Sequence, residues 1–479
     1  MNPSKSSRRD FLKATALTGL GATVVAGSPG CAATPEGAGN LHASVQPAAP
    51  RPLGQKPVHN LTTKPLEKIR VAVIGLSRGM AHVNAALNIE FAEVVAVCDK
   101  RDDRSNNAAN AVEKKYGRRP AVYSGNETIW EKMVEREDLD VVYIATPWEW
   151  HVPMCLRSME HGKHAFVEVS AAVTLEECWK LVNTSERTQR HCVMLENCCY
   201  GENELFVLNM ARAGVFGELT HAECAYLHEL RGVLFSLGSE GDWRREYHKT
   251  HNGNLYPTHG LGPVAQYLGI GRGDQFKFLV SMSSPEKSLT KVLNEKKPNG
   301  GRHAGEKYVC GDMNTSIIKT ELGRTIMIQH DVVTPRPYSR INGLNGTDAS
   351  FFDYPARLAT AYPKKYGLRA GGSHEWLDEK DMAIMREKFT HPLWKKLESR
   401  AAGSGHGGMD YIVNWRHLDC IRQGITPDSV VYDAASWSSI LELTTRSVAS
   451  GSMPVVVPDF TRGLWKTMKP LGIAGASPT

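Results

Sequence analysis

One stretch near residue 70 constrains this chain more than any other feature. Arg70-Val71-Ala72-Val73-Ile74 is a run of strand formers that breaks at Gly75-Leu76-Ser77-Arg78-Gly79 and continues as a helical pattern from Met80. A second apolar run, Val94-Val95-Ala96-Val97-Cys98, ends at Asp99, 24 residues beyond Gly75. A buried strand, a glycine turn that lets the backbone approach a pyrophosphate, a helix, and an acid at the tip of the next strand make up a dinucleotide-binding βαβ unit. The turn keeps only Gly75 and Gly79 of the Gly-x-Gly-x-x-Gly pattern. A carboxylate at Asp99 would hold a ribose hydroxyl and repel a 2′-phosphate, which favours NAD over NADP. Lys100 and Arg101 directly after it are the opposing signal.

The alternation continues. Strands are expected over 70–74, 93–98, 141–145, 164–167 and 192–195, with helices over 80–89, 104–116, 128–136, 151–161 and 174–187 between them. This spacing predicts an α/β fold, a doubly wound parallel sheet joined by right-handed crossovers, over residues 66–197. After Asn197 a helix over 203–213 leads to strands at 220–227, 277–283, 312–320 and 324–331, with no helices between most of them. Residues 198–479 therefore read as an α+β domain with an open, mainly antiparallel sheet. Segments 231–254 and 284–307 read as long polar loops, and helices return at 379–388, 392–399 and 410–424.

The first residues carry an address. Ser7-Arg8-Arg9-Asp10-Phe11-Leu12-Lys13 is a twin-arginine export pattern, followed by a weakly apolar stretch over 14–27 that is too short for a permanent membrane span. Residues 1–33 read as this signal, Cys31 as a candidate lipid attachment site, and 34–65 as a disordered linker rich in Pro, Ala and Gly. The mature protein is expected in the periplasm. Ten cysteines would suggest disulfides in an exported chain, but most lie in core patterns, and folding before export leaves them reduced. A net charge of +6 over 57 basic and 51 acidic residues, with no long basic run, excludes a nucleic-acid partner. No metal site is indicated, no transmembrane helix is expected, and a homo-oligomer is compatible with the sequence.

Chemistry-bearing residues cluster at three further places. Trp148-Glu149-Trp150-His151 follows the loop Thr146-Pro147, where such folds expose a surface to the nicotinamide ribose. Glu168-Val169-Ser170 ends the strand at 164–167. Asn254-Leu255-Tyr256-Pro257-Thr258-His259-Gly260 sets a phenol and an imidazole three residues apart in a Gly/Pro-framed turn opening a helix, with Trp243-Arg244 upstream.

Together with Glu196-Asn197-Cys198-Cys199-Tyr200, these motifs resemble glycoside hydrolase family 109. Its members are NAD-dependent α-N-acetylgalactosaminidases within the Gfo/Idh/MocA-like oxidoreductase superfamily. The likeness spans nearly everything after the linker. Superfamily oxidoreductases carry Glu-Lys-Pro at the end of this strand, and the lysine assists hydride transfer; here Val169 stands in its place, which points to different chemistry. The resemblance implies NAD contacts at Ser77, Arg78, Asp99, Trp148, Glu149, Trp150, His151, Glu168, Val169, Asn197 and Tyr256. It implies substrate contacts at Tyr226, Arg244 (or its neighbour Arg245), Tyr256, Pro257, Thr258, His259 and Tyr338. The implied reaction oxidises the sugar at C3 and removes the C2 proton with Tyr256 or another tyrosine, Tyr200 and Tyr338 being the next candidates. It then expels the glycosidic oxygen with His259 as acid, adds water and reduces the ketone again. Such redox glycosidases need no pair of catalytic carboxylates. The alternative is an exported NAD(P)-dependent sugar oxidoreductase or sugar–sugar transhydrogenase.

Overall fold

The computed structural model of the protein describes residues 50–475; the signal, Cys31 and the first part of the expected linker lie outside them. Strands β1 (Ile69–Ile74), β2 (Ala92–Cys98), β3 (Ala121–Tyr123), β4 (Val141–Ile144), β5 (His164–Val167) and β6 (Cys192–Met194) form a parallel sheet in the order β3-β2-β1-β4-β5-β6. Strands β4, β5 and β6 are buried at every position, as a sheet covered on both faces requires. The covering helices are α1 (Met80–Leu87), α2 (Asp102–Tyr116), α3 (Ile129–Val134), α4 (Trp148–Glu160) and α5 (Leu175–Thr188). The expected alternation holds, with β3 added: three half-buried edge residues, too few to show a period. Strand order reverses between β1 and β4, which opens a crevice at their carboxyl ends.

A second sheet follows α6 (Glu202–Arg212). Its strands are β7 (Leu219–Leu227), β8 (Phe276–Ser283), β9 (Asn314–Thr320), β10 (Thr325–Asp331), β11 (Gly343–Gly346), β12 (Ala349–Phe352), β13 (Arg357–Thr360) and β14 (Val455–Val456). They are ordered β13-β12-β11-β7-β10-β9-β8-β14, antiparallel except for the parallel pair β7 and β10. The expected open, mainly antiparallel sheet is what forms.

The two expected long loops contain helices α7 (Glu240–Thr250) and α9 (Ser288–Lys296), with α8 (Thr258–Leu268) between them. Helix α7 escapes an apolar-period reading because it turns only Gly241, Arg245 and His248 fully inward. Its ends carry the signal instead: the Ser239 hydroxyl accepts from Gly241 N–H, with Glu240 and Asp242 in the first turn and His248 and Lys249 in the last. Helix α8 lies so close to β7 that a Cβ on Gly260 would sit 2.5 Å from Ala225 N. Of its 11 residues, all but His259 are buried.

Two boundaries differ from expectation. Residues 50–65 are not a free linker: Lys56 N–H donates to Glu186 O (3.2 Å), Thr63 N–H to Gly424 O (3.0 Å), and Val58 N–H to the Tyr432 hydroxyl (3.2 Å). Period-free, proline-rich chain can still be held by backbone bonds to distant segments, which composition does not reveal. Nor does the 198–479 region stand apart. Beyond α10 (Glu379–Phe389) and α11 (Pro392–Ala401), helices α12 (Met409–Gln423) and α13 (Val431–Ala449) return to the first sheet's layers, packing on α1 and α5. Fully buried Glu186 on α5 accepts Arg51 (3.1 Å), Arg462 (2.7 Å) and the Tyr432 hydroxyl (2.7 Å). No helix of the described residues is long and apolar enough to cross a membrane.

The core holds neutral imidazoles. Burial pushes His191 down to about 3 and His417 to about 4, and lowers His164 well below the ordinary range. Each binds its proton more readily when unfolded, near pH 6.5. Their neutral forms are therefore fully compatible with the fold above that pH, and stability is lost as pH falls through 6.5 toward 4. The slope has a ceiling of about 1.4 kcal/mol per pH unit and group. The melting temperature should drop steadily between pH 6.5 and 4.5 in a thermal-shift series; a flat profile there would contradict the assignment.

Candidate active site

The crevice is built by glycine. Gly75 has φ +84°, and a Cβ on it would lie 2.5 Å from Ala145 O, so the turn passes the end of β4 only as glycine. Gly79 seats α1: its Cβ would lie 2.2 Å from Gly75 O. Asp99 is locked beside the turn, with Oδ2 accepting from Leu76 N–H (2.7 Å) and Oδ1 from Arg101 N–H (3.0 Å). Ser77 stays exposed at the mouth. A close-passing glycine turn, an open Ser77 and a fixed acid, at the point where strand order reverses, fit a dinucleotide.

Across the crevice the Trp148–His151 group opens α4 rather than preceding it, and it divides. Trp148 is buried and donates Nε1–H to Val169 O (3.0 Å). Glu149 is exposed and Trp150 half-buried. His151, 1% exposed, places Nδ1 at 2.7 Å from Ser170 O and Nε2 at 2.8 Å from Thr146 O. It fastens the two loops that flank the crevice from beneath.

At the end of β5, where a lysine would stand, Val169 is buried and Glu168 is tied down. Glu168 Oε1 accepts Arg78 Nε (2.7 Å) and faces His82 Nε2 (2.9 Å). Burial would raise this carboxyl, but Arg78 and His82 hold it well below the usual carboxylate range. Arg78 also donates bidentately to Asp410 on α12 (2.8 and 2.9 Å), and Asp410 accepts Asn197 Nδ2 (2.8 Å) and faces His406 Nδ1 (2.9 Å).

The third group gathers at the carboxyl end of β7. Tyr226 stacks on Tyr256 (4.6 Å between centroids), and both meet the His259 ring edge-on at 5.2 and 4.8 Å. His259 Nδ1 is 2.7 Å from Oε1 of buried Glu196, leaving Nε2 as the free nitrogen. Pro257 and Thr258 are buried beneath, and Tyr338 sits at the rim, 38% exposed, edge-on to His228 at 4.9 Å. The Arg244 guanidinium lies 4.9 Å from the Tyr256 ring, 5.9 Å from Trp148 and 5.2 Å from Trp243. Arg245 turns away, with Nε on Glu306 (3.0 Å) and Nη1 on Leu234 O (2.7 Å), so Arg244 is the arginine of the site. Burial pushes the Tyr226 phenol up to about 12 against the pull of Arg244, and Tyr256 well above its ordinary value. Tyr200 is removed from the candidate bases: its hydroxyl is sealed in the core between His417 Nε2 (3.1 Å) and Asp428 (3.2 Å).

Four residues escaped the sequence reading. Tyr226 OH lies 3.0 Å from His228 Nδ1, a pairing set by strand register. Glu196 sat in a quoted motif without a role. Asp410 is brought in by a helix that lies 213 positions beyond its partner Asn197. His406 had a local signal, a histidine framed by Gly403, Gly405, Gly407 and Gly408 just before a helix. Glu196, Cys198 and His259 bring a carboxylate, a thiol and an imidazole within 4.8 Å. Burial pushes the Cys198 thiol well up, and its Sγ lies 3.6 Å from Asn197 Oδ1.

Asp99→Ser removes the carboxylate expected to hold the ribose and the acceptor that holds Leu76. NAD affinity should fall roughly tenfold, about 1.4 kcal/mol, while NADP binding should become measurable. Titration of both nucleotides by fluorescence checks this; unchanged discrimination would place the ribose elsewhere.

Comparison with known proteins meets this geometry. Residues 69–196 match a family model described as oxidoreductase family, NAD-binding Rossmann fold, and residues 200–467 one described as glycosyl hydrolase 109, C-terminal domain. A glycosyl hydrolase family 109 protein of Shewanella baltica is 46% identical over 476 residues, covering 98% of this chain and 99% of that protein. One of Shewanella putrefaciens is 47% identical over 433 residues, covering 89% and 93%. In fold, the chain resembles levoglucosan dehydrogenase solved with NADH and levoglucosan (TM-score 0.61, 18% identity, 82% of this chain and 100% of that one). It also resembles an NAD-binding oxidoreductase from Klebsiella pneumoniae (TM-score 0.60, 15% identity, 82% and 99%). The N-terminal domain is thus an NAD-binding Rossmann domain, the protein is an enzyme, and the chain belongs to glycoside hydrolase family 109.

Proposed function

We propose that the protein is an exported glycosidase that removes terminal α-linked N-acetylgalactosamine from glycans with no net redox change. The observation that carries this reading is His259, the one open residue of an otherwise buried helix, backed by a buried glutamate and set against two tyrosines. NAD, when bound, supplies reversible hydride acceptance. The chain's own residues handle protons. Glu196 fixes the imidazole through Nδ1, which leaves His259 Nε2 to hand a proton to the departing glycosidic oxygen. The Tyr226–Tyr256 pair supplies the base for the C2 proton. Tyr226 is favoured over Tyr256 because its hydroxyl already faces an acceptor, His228 Nδ1. Burial first, then His259, Arg244 and His406, lower the pKa of His228, so its ring rests neutral beside the hydroxyl. Arg244 beside both rings stabilises a transient phenolate. Val169 in the lysine position fits a cofactor that need not be recycled by an external substrate. The leader supports export by the twin-arginine route to the periplasm, with Cys31 a candidate lipid anchor.

A second proton carrier is supported by position. His406 is exposed on a glycine-rich loop, held at Nδ1 by Asp410, and near enough to His228 to influence it.

His259→Ala should lose roughly 10²–10⁴-fold in kcat on a poor leaving group and much less on a nitrophenyl glycoside, which needs little protonation. If the leaving-group dependence appears in His406→Ala instead, the acid role moves there. Hydrolysis in D₂O should leave deuterium at C2 of the released sugar. A protonated C2 would exclude elimination, and net NADH accumulation without hydrolysis would favour the alternative of a sugar oxidoreductase.

A further inference from the structure

Asp410 joins three parts of the chain that are far apart in sequence. The residue is 3% exposed. Its carboxylate accepts both terminal nitrogens of Arg78 from the cofactor turn and Nδ2 of Asn197 where the chain leaves the Rossmann domain, and it faces His406 Nδ1 on the loop before its own helix. Its backbone oxygen accepts Asn414 Nδ2 (2.6 Å); Asn414 Oδ1 faces His82 Nδ1 (3.2 Å), and His82 reaches Glu168, which returns to Arg78. The circuit is closed.

Beyond this carboxylate the loop is tied mainly by its own turns, Ser404 N–H to Ala401 O (3.0 Å) and Gly408 N–H to Gly405 O (3.2 Å). Cβ atoms on Gly403 and Gly407 would meet nothing within 4 Å, and the His406 side chain is 53% exposed. At Gly405 the opposite holds: a Cβ would lie 2.4 Å from Asp410 Oδ2. That glycine is what lets the loop come down onto the carboxylate. Arg78, from the cofactor turn, and Asn197, where the chain leaves the Rossmann domain, lie on the crevice side of this carboxylate, and His406 lies on the loop side. One carboxylate therefore aligns donors from both.

We propose that Asp410 is a positioning residue that couples NAD retention to closure of the glycine-rich loop 403–408. A ligand that fixes Arg78 and Asn197 orients the carboxylate toward His406, and a loop held down by His406 in turn steadies Arg78. Such coupling is reciprocal in binding free energy. It does not depend on the glycosidase reading, because it concerns NAD and a loop, with no sugar present.

The test uses the NAD-loaded full chain and two readouts in the same sample: amide hydrogen exchange of 403–408, and release of NAD into excess competitor nucleotide. Gly405→Ala alters no charge and replaces no member of an ion pair. It should raise loop exchange and NAD release together, each by roughly tenfold, while exchange in β5 stays at the parent level. Asp410→Asn should do the same. Faster loop exchange with NAD release unchanged in Gly405→Ala overturns the proposal, as does no change in either, or an equal rise in β5 that marks general loosening. If Asp410→Asn does not fold, Gly405→Ala decides alone.

Discussion

The half-buried guanidinium of Arg78, shared between two carboxylates, is the interaction on which the rest of the structure depends. It sits where the cofactor turn, the end of β5 and the start of α12 converge, and it meets Glu168 and Asp410 together. Taking a charge out of water is costly, and a buried pair that loses one partner typically loses about 3–5 kcal/mol because the other is stranded. Two carboxylates around one arginine make the surrounding geometry hard to vary. Glu168 cannot swing into the crevice, α12 cannot slide, and the turn cannot relax outward. The end of β5 thus presents a buried valine, Val169, beside a carboxylate that Arg78 and His82 hold ionised. Phenols and imidazoles gather on the opposite wall.

That opposite wall works through exclusion. Helix α8 buries Thr258, then Gly260 through Leu268, against β7 and its neighbours, and its first turn brings His259 alone to the open side. A histidine in such a helix would ordinarily be packing. Here its backing glutamate, two aromatic neighbours and residual exposure set it apart from His417, which is fully buried and lies against the Tyr200 hydroxyl. The two imidazoles share a residue type and differ in everything that decides chemistry.

How much of this was legible in the sequence depends on range. The strands of the first sheet announced themselves because each is a short apolar run between helical periods. Asp99 was found because its role is set by distance along the chain. Helix α13 was not seen: from Val431 through Leu441 every residue is buried, so a mixture of Ala, Ser, Thr and large apolar side chains shows no face. Strands β11 to β13 were missed because they are only four residues long, and β11 has glycine at both ends. Gly343 is there because Phe352 lies 2.7 Å from where its Cβ would be, a cross-strand fact with no local trace. Tyr256, His259 and Arg244 stood out as a dense local cluster. Asp410 needed the fold, since a carboxylate held by partners hundreds of residues away looks like any surface acid until the chain is closed.

The clamp on Glu186 shows what such closure demands in time. Its carboxylate is sealed inside α5, yet Arg51 arrives from the start of the described chain and Tyr432 and Arg462 from near its end. A ribosome delivers residue 186 long before residue 462, and through that interval the acid has no complete set of donors. The packing around this side chain is complete only once residue 462 has been made. A chain stopped before Tyr432 would leave the buried Glu186 carboxyl without two of its three side-chain donors, a cost its interior has no other way to offset.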